Sequence, residues 1–321
     1  MLYLVSIREG LKGKPEFHRR ILQDVNPLGG TIKTRVIYGP NQPMRVLHEQ
    51  LIARLKRLLA HFPHATGAVQ GSSPWKNVMR HQRGQRYFYL TDIENAYPSV
   101  RVETLALILC TQDVDLAGRY EQVVTFLKQY CLAQEGGLAI GAPASPLLFN
   151  IYAGVLIDRD LHALCEKYSL TYTRYLDDLT FSSKRPIGER KRKAIRAIIE
   201  EAGFRVNHRR SQVHDLRKGP IVITGVGLRY REGEGKERYR RTETFLPRSY
   251  LRKIRGLIHR AITKGDVNDA LVEGMMGVFR DVTRFRVLNR TEASMVNAYN
   301  EYRKSRGRSP TRYPIDVQST W

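Results

Sequence analysis

The chain has 321 residues, with 54 Lys+Arg against 31 Asp+Glu and a net charge of +23. With 42% hydrophobic and 26% charged residues it reads as globular rather than disordered, and no apolar run approaches the roughly 18 residues that cross a bilayer. So basic a chain points to a polyanionic partner, nucleic acid ahead of an anionic membrane surface, because neutralised phosphates release counterions and no long basic amphipathic helix stands out.

In chain order, residues 14–30 mix Pro, Gly and charge before "GGTIKTRVIYGP" (29–40), which reads as a β-ribbon ended by Gly39-Pro40. In "MRVLHEQLIARLKRLLAHF" (44–62), Val46, Leu47, Leu51, Leu55, Leu58 and Leu59 recur at helical spacing. "RYFYLTDI" (86–93) is an aromatic-rich strand, and helical patterns follow at 101–111 and 118–133. A Gly/Ala/Pro loop, "EGGLAIGAPASP" (135–146), precedes an apolar helix over 147–168, for which Ser145 is a candidate cap. "TYTRYLDDLTFSS" (171–183) reads as a hairpin, and "GERKRKAIRAIIEEAG" (188–203) as an amphipathic helix stopped by Gly203. "FRVNH" (204–208) and "PIVITGVGL" (220–228) read as strands, and from about 246 the chain is helical and very basic. This order predicts an α+β centre with a helical appendage. The three cysteines, Cys110, Cys131 and Cys165, form no CxxC pair and are expected to be buried free thiols. With no secretory leader in "MLYLVSIREGLKGK", a cytoplasmic location is expected.

Three acids stand out. Asp177 and Asp178 sit at the tip of the hairpin, where strand alternation breaks and both carboxylates can approach one point. Like charges that close repel unless they share a proton or bind a cation. Asp-Asp is also a common turn signal, and that reading stands beside the first. Asp92 ends an apolar strand, either as a strand-end residue or as a third acid that meets the others if its strand is their neighbour. Two metals held there would serve an in-line phosphoryl displacement.

At this point the residues carry a resemblance. "YLDD" (175–178), "DIENAYPS" (92–99), "GAPASPLLFN" (141–150), "GFRVNHRRS" (203–211) and "RVIYGP" (35–40) resemble, in order, motifs of the reverse transcriptases. "NVMRH" (77–81) and "ITG" (223–225) are similar to elements of the retron and phage-defence group. At this length no RNase H, integrase or maturase domain is expected. The resemblance implies a right-hand polymerase: an N-terminal extension (1–28), fingers (29–85, with 101–140 in part), palm (86–240), short basic thumb (241–310) and a tail (311–321).

It further implies Asp92, Asp177 and Asp178 as catalytic acids, binding two Mg²⁺ ions (or Mn²⁺) with the main-chain carbonyl of Ile93. Tyr97 falls on the position that selects deoxynucleotides, with core packing as its plain alternative. Arg35, Gly141, Ala142, Pro143 and Arg210 fall on nucleotide-binding positions. Asn77, His81, Thr224 and Gly225, with Arg252, Lys253, Arg255 and Arg260 on the basic thumb helix, are implied to bind nucleic acid; a solvated charge run is the alternative for the last four. Two positions depart from the family pattern: Ile140 replaces a common Gln, and Arg209-Arg210 stand where relatives carry Lys. Arginine is a poor proton donor but can still stabilise charge. The implied function is copying of a dedicated non-coding RNA into DNA from dNTPs, in antiviral defence, with a separate effector protein. Alternatives are a defence-type enzyme making repetitive or untemplated DNA, and a catalytically silent RNA-binding subunit.

Overall fold

The aromatic-rich strand becomes the middle of a five-stranded antiparallel sheet. The computed structural model describes residues 11–24, 33–82, 84–231, 241–263 and 269–311. In chain order these form β1 (Phe17–Asp24), β2 (Lys33–Pro40), α1 (Gln42–Leu55), α2 (Pro74–Arg80), β3 (Tyr87–Glu94), α3 (Val102–Gln112) and α4 (Tyr120–Tyr130). Then come α5 (Ser145–Ala153), α6 (Arg159–Tyr168), β4 (Thr171–Tyr175), β5 (Asp178–Ser183), α7 (Glu189–Glu201), β6 (Arg205–Val206) and β7 (Gln212–Asp215). The chain continues through β8 (Ile221–Ile223), β9 (Val226–Arg231), β10 (Arg241–Phe245), α8 (Arg248–Thr263), α9 (Asp269–Thr283) and α10 (Arg290–Ser305). Contacts divide these into two units, Met1–Ser72 with Gly84–Asp215, and Ser73–Arg83 with Leu216–Trp321.

In the first unit β3 is flanked by β5 on one edge and by β6 and β7 on the other, and β4 closes the β5 side as a hairpin. The core face of the sheet carries Tyr89, Ile93, Leu179 and Phe181. Against that cluster α1 buries Met44, Leu47, Leu51 and Leu55, which share one helical face. The side chain of Asn41 caps α1 by accepting the Met44 N–H at 2.9 Å. Helices α5 and α6 are one rod interrupted by a π turn at Gly154–Asp158. The Phe62 ring lies so close to Gly154 that a Cβ has no room there. β1 and β2 form a separate two-stranded ribbon.

In the second unit β8, β9 and β10 make a small antiparallel sheet, with α2 packed on β9 and with α8, α9 and α10 packed together.

Several boundaries differ from expectation. The run 220–228 is two strands, folded back where Thr224 and Gly225 both take positive φ, 47° and 85°; that is the turn a two-residue hairpin requires. The α1 pattern ends at Leu55 and continues as a 3-10 segment, Lys56–His61. Ser145 does not cap α5; its hydroxyl donates to the Ala139 carbonyl at 2.7 Å, inside the turn before the helix. β1, β7 and β10 were not expected. All three cysteines are free; Cys131 and Cys165 are buried as expected, and burial pushes their thiols up to about 12, whereas Cys110 is only half-buried. No described helix is long and apolar enough to cross a membrane. Residues 1–10 and 25–28 of the N-terminal extension and 312–321 of the C-terminal tail lie outside the described residues.

Candidate active site

The β3–β5 ladder sets the acids. Asp92 is in register with Asp178, and the Ile93 N–H donates to the Asp177 carbonyl at 3.0 Å. The Asp92–Asp178 pair is therefore a non-hydrogen-bonded one, whose side chains share a face and approach more closely than in the alternating pair. Within an antiparallel ladder a residue's N–H and C=O turn to the same neighbour, so the Ile93 carbonyl is turned toward the hairpin.

Asp92 is only 6% exposed. Its Oδ2 lies 3.4 Å from Arg210 Nη1 and 3.4 Å from Asn207 Nδ2, while its Oδ1 is buried without a hydrogen-bond partner. Asp178 is exposed at the turn, yet desolvation by the atoms packed around its carboxyl, then the charges of Asp177 and Asp92, push it up to about 6, with Arg210 opposing. An orphaned carboxylate oxygen among mutually repelling acids is what a divalent cation would satisfy. Among the described residues no group of three or more His, Cys, Asp and Glu is placed to hold a metal ion. A hard ion such as Mg²⁺ takes few protein ligands and completes its shell with water and substrate phosphate.

Tyr97 packs edge-on against Phe149, ring centroids 5.5 Å apart, and burial with the nearby Asp177 charge pushes its hydroxyl up to about 12. Core packing and proximity to the acids thus coexist in this residue. Its backbone is pinned, because its carbonyl accepts the Leu138 N–H at 2.9 Å. Gly137, φ 70°, passes so near that an added Cβ would meet Pro98 Cα at 2.5 Å. The same loop is fixed to β2, where the Tyr38 N–H donates to the Ile140 carbonyl at 2.7 Å. A Cβ on Gly141, φ 100°, would meet Ile37 Cγ2 at 2.7 Å. Gly141 and buried Ala142 therefore lie along the strand that carries exposed Arg35, and half-buried Pro143 follows them. Ile140 contributes its carbonyl to this junction.

His48 was not singled out from the sequence, where it looks like one more position on the face of α1. Fully buried, it accepts the Ala144 N–H on Nδ1 at 3.3 Å and donates from Nε2 to the Tyr130 carbonyl at 2.9 Å. It thus ties the end of the loop to α4. Asn150, Asp158 and Arg174 were missed as well; their only signal was charge and amide inside apolar runs.

Asn77 and His81 are fully buried in the second unit, and burial pushes the His81 imidazole down to about 3. The Asn77 amide donates to the Thr224 hydroxyl at 3.3 Å. Both side chains are enclosed by protein, and Asn77 braces the Thr224-Gly225 turn, where Gly225 is exposed. On α8, Arg252, Lys253, Arg255 and Arg260 are exposed opposite buried Ile254, Ile258 and Ala261.

Residues 24–228 match the model of a family described as reverse transcriptase (RNA-dependent DNA polymerase). The chain belongs to the reverse transcriptase family. Among curated relatives, the Retron Mx65 reverse transcriptase of Myxococcus xanthus is 31% identical over 226 residues, covering 66% of this chain and 52% of that protein. The Retron Ec83 reverse transcriptase of Escherichia coli is 27% identical over 228 residues, covering 68% of this chain and 70% of that protein. The chain thus spans 52% and 70% of the length of these two relatives, which are of the bacterial retron type. A solved telomerase from Candida albicans, in complex with a TWJ fragment of telomeric RNA, aligns with a TM-score of 0.50 at 10% identity, covering 94% of this chain and 56% of that one. That likeness concerns the fold alone, an α+β arrangement of helices and antiparallel sheets.

Proposed function

We propose that this chain is a retron-type RNA-directed DNA polymerase that binds a dedicated structured non-coding RNA and copies part of it into DNA. The observation that carries the reading is the pairing of Asp92 with Asp178 across β3–β5, beside Asp177 and with one Asp92 oxygen buried and unpartnered. Asp92, Asp177, Asp178 and the Ile93 carbonyl would hold two Mg²⁺ ions (or Mn²⁺), which when bound supply activation of a 3′-hydroxyl and charge neutralisation on the leaving pyrophosphate. Tyr97 supplies a pinned ring where a ribose 2′-hydroxyl would have to fit. Arg35 and Arg210 offer guanidinium forks to triphosphate oxygens. Arg210 acts there as charge and not as proton donor, since a guanidinium keeps its proton. Gly141, Ala142 and Pro143 let the templating pair approach backbone. The exposed basic face of α8, with the Thr224-Gly225 turn, receives the RNA–DNA hybrid, which is recognised by shape and phosphate.

In this reading residues 29–85 with part of 101–140 are fingers, 86–240 palm and 241–310 thumb, and the enzyme serves antiviral defence in the cytoplasm with a separately encoded effector. Kinship with retron enzymes supports that role. The presence of all three acids and Tyr97 weighs against a silent binding subunit. The test is to purify the protein with its native locus and sequence the co-purifying RNA and DNA, beside an Asp177→Asn/Asp178→Asn variant. One abundant structured RNA in both preparations, with complementary DNA in the wild type alone, is the expected result. DNA without a matching RNA would overturn the templated reading.

A further inference from the structure

Beneath the acid-bearing turn lies a buried polar assembly. Arg174 is fully buried in β4. Its Nε and Nη2 fork onto Asp158, at 2.8 Å to Oδ1 and 2.7 Å to Oδ2. Nη1 donates to Asn150 Oδ1 at 2.9 Å and to the Leu176 carbonyl at 3.3 Å, and Nη2 also reaches the Asn150 carbonyl at 3.2 Å. The Tyr172 hydroxyl donates to Asp158 Oδ1 at 2.8 Å. Asp158 is delivered to this point by the π turn between α5 and α6, a distortion that recurs at functional sites.

The other side of β4 is gripped as firmly. The Arg174 N–H donates to the His64 carbonyl at 2.8 Å, and its carbonyl accepts from the Thr66 N–H at 2.7 Å and the Thr66 hydroxyl at 3.0 Å. Asn150 Nδ2 holds the Gly67 carbonyl at 2.7 Å. Gly67 in turn abuts the hairpin tip, since a Cβ there would meet Leu176 N at 2.8 Å. Leu176 takes a left-handed φ of 57°, although it is not glycine.

Such strain persists where the surroundings over-determine it, and it collects at functional sites. Stability alone does not call for a buried ion pair, because well-packed apolar residues of similar volume usually serve at least as well. What the guanidinium adds is direction: it places one donor, Nη1, on the carbonyl of the residue immediately before Asp177. We infer that Arg174, held by Asp158 and Asn150, is a positioning residue that fixes the left-handed turn at Leu176 and so sets where Asp177 meets Asp92. The inference rests on the polymerase reading for its catalytic consequence, but its geometric part stands on the turn itself.

The experiment compares the wild type with Asp158→Leu/Tyr172→Phe/Arg174→Met, which replaces the assembly by apolar groups without leaving a buried charge. Thermal unfolding, kcat, dNTP KM, the Mg²⁺ dependence of synthesis and amide exchange at Ile93 are measured in both. The expected result is a folded protein whose kcat falls about 10²-fold, the scale of a small misplacement of reacting groups. The dNTP KM changes little and the Mg²⁺ requirement rises. The Ile93 amide, whose partner is the Asp177 carbonyl, exchanges faster, while Phe88 and Tyr89 at the far end of β3 keep their protection. A folded variant with wild-type kcat and wild-type Ile93 exchange overturns the inference. Should the triple variant not fold, Arg174→Lys decides, since it keeps a buried cation for Asp158 but cannot fork onto Asp158 and the Leu176 carbonyl together; a fall in kcat with faster Ile93 exchange is expected, and wild-type kcat and Ile93 exchange overturn the inference. If the wild type itself makes no DNA, it is the polymerase reading that has failed, and Ile93 exchange still decides the positioning role.

Discussion

Asp92 and Asp178 stand opposite each other across the β3–β5 ladder, on the face of the sheet away from the Tyr89, Ile93, Leu179 and Phe181 core. The sheet therefore holds two like charges together by register, and Asp177 adds a third at the turn. Without a cation the arrangement opposes folding; with one it becomes a site.

The first expected consequence is a pH effect. Desolvation, Asp177 and Asp92 hold the Asp178 carboxyl near 6, above its ordinary 3.8. A carboxyl that binds its proton more tightly folded than unfolded adds stability that is full below the unfolded value and is lost as pH rises through the folded one. In chelator, the stability of Asp178→Asn relative to wild type should therefore grow between about pH 4 and 7, and added Mg²⁺ should shrink the difference. Denaturant unfolding of both proteins across that range, with and without Mg²⁺, checks this. A difference that stays flat with pH would refute the electrostatic account.

Gly137 and Gly136 offer a paired comparison. Both have positive φ, but a Cβ at Gly137 meets Tyr97 and Pro98 backbone, whereas at Gly136 it meets nothing within 4 Å. Gly136→Ala should cost only the left-handed penalty, about 1–2 kcal/mol. Gly137→Ala should cost about 2–4 kcal/mol, because overpacking adds to that penalty. It should also raise the dNTP KM by moving Tyr97. Equal effects of the two substitutions on unfolding would remove the case for a tight loop–Tyr97 contact.

What the sequence made legible follows from how local each signal is. The hairpin around "YLDD", the strand ending in Asp92 and the helix stopped by Gly203 are written in short patterns of alternation and punctuation, and they form where expected. The run 220–228 misled because an apolar strand pair with a two-residue turn looks like one strand; Gly225 was the only mark of the fold-back. β7, "QVHD", has no alternation to read and exists because β3 offers it an edge. His48 and Arg174 were invisible for a related reason. Their partners lie 82 and 96 residues away for His48, and on three separate elements for Arg174, so only the folded chain shows what they hold.

His48 gives a second pH effect of opposite sign. Burial pushes its imidazole from 6.5 down to about 4, against the bond to Tyr130. A base whose folded value is depressed contributes stability that is full above the unfolded value and is lost as pH falls from about 6.5 through about 4. Its Nδ1 must accept from Ala144, so protonation breaks the tie to the loop. The loss amounts to about 3.5 kcal/mol at most, at about 1.4 kcal/mol per unit. His48→Gln, which keeps a donor for Tyr130, should be less stable at pH 7 and show a shallower loss on acidification. Parallel acid-unfolding curves for the two proteins would contradict this role.

On α8 the buried side, Ile254, Ile258 and Ala261, holds the helix in its unit, and Arg252, Lys253 and Arg255 are exposed on the other. Exposed charges away from packing contribute little to folding, so replacing the three by Ala should leave the unfolding temperature nearly unchanged. If this face takes phosphates, each lost contact lowers the salt dependence of binding by about 0.7–0.9 in the slope of log K against log salt. The triple variant should therefore bind an RNA–DNA hybrid more weakly at low salt, with a slope smaller by about 2–3 and with the same loss for unrelated sequences. Fluorescence-anisotropy titrations of labelled hybrids at several salt concentrations measure both quantities. An unchanged slope would mean that the charge run is a solvated face and that the duplex lies elsewhere.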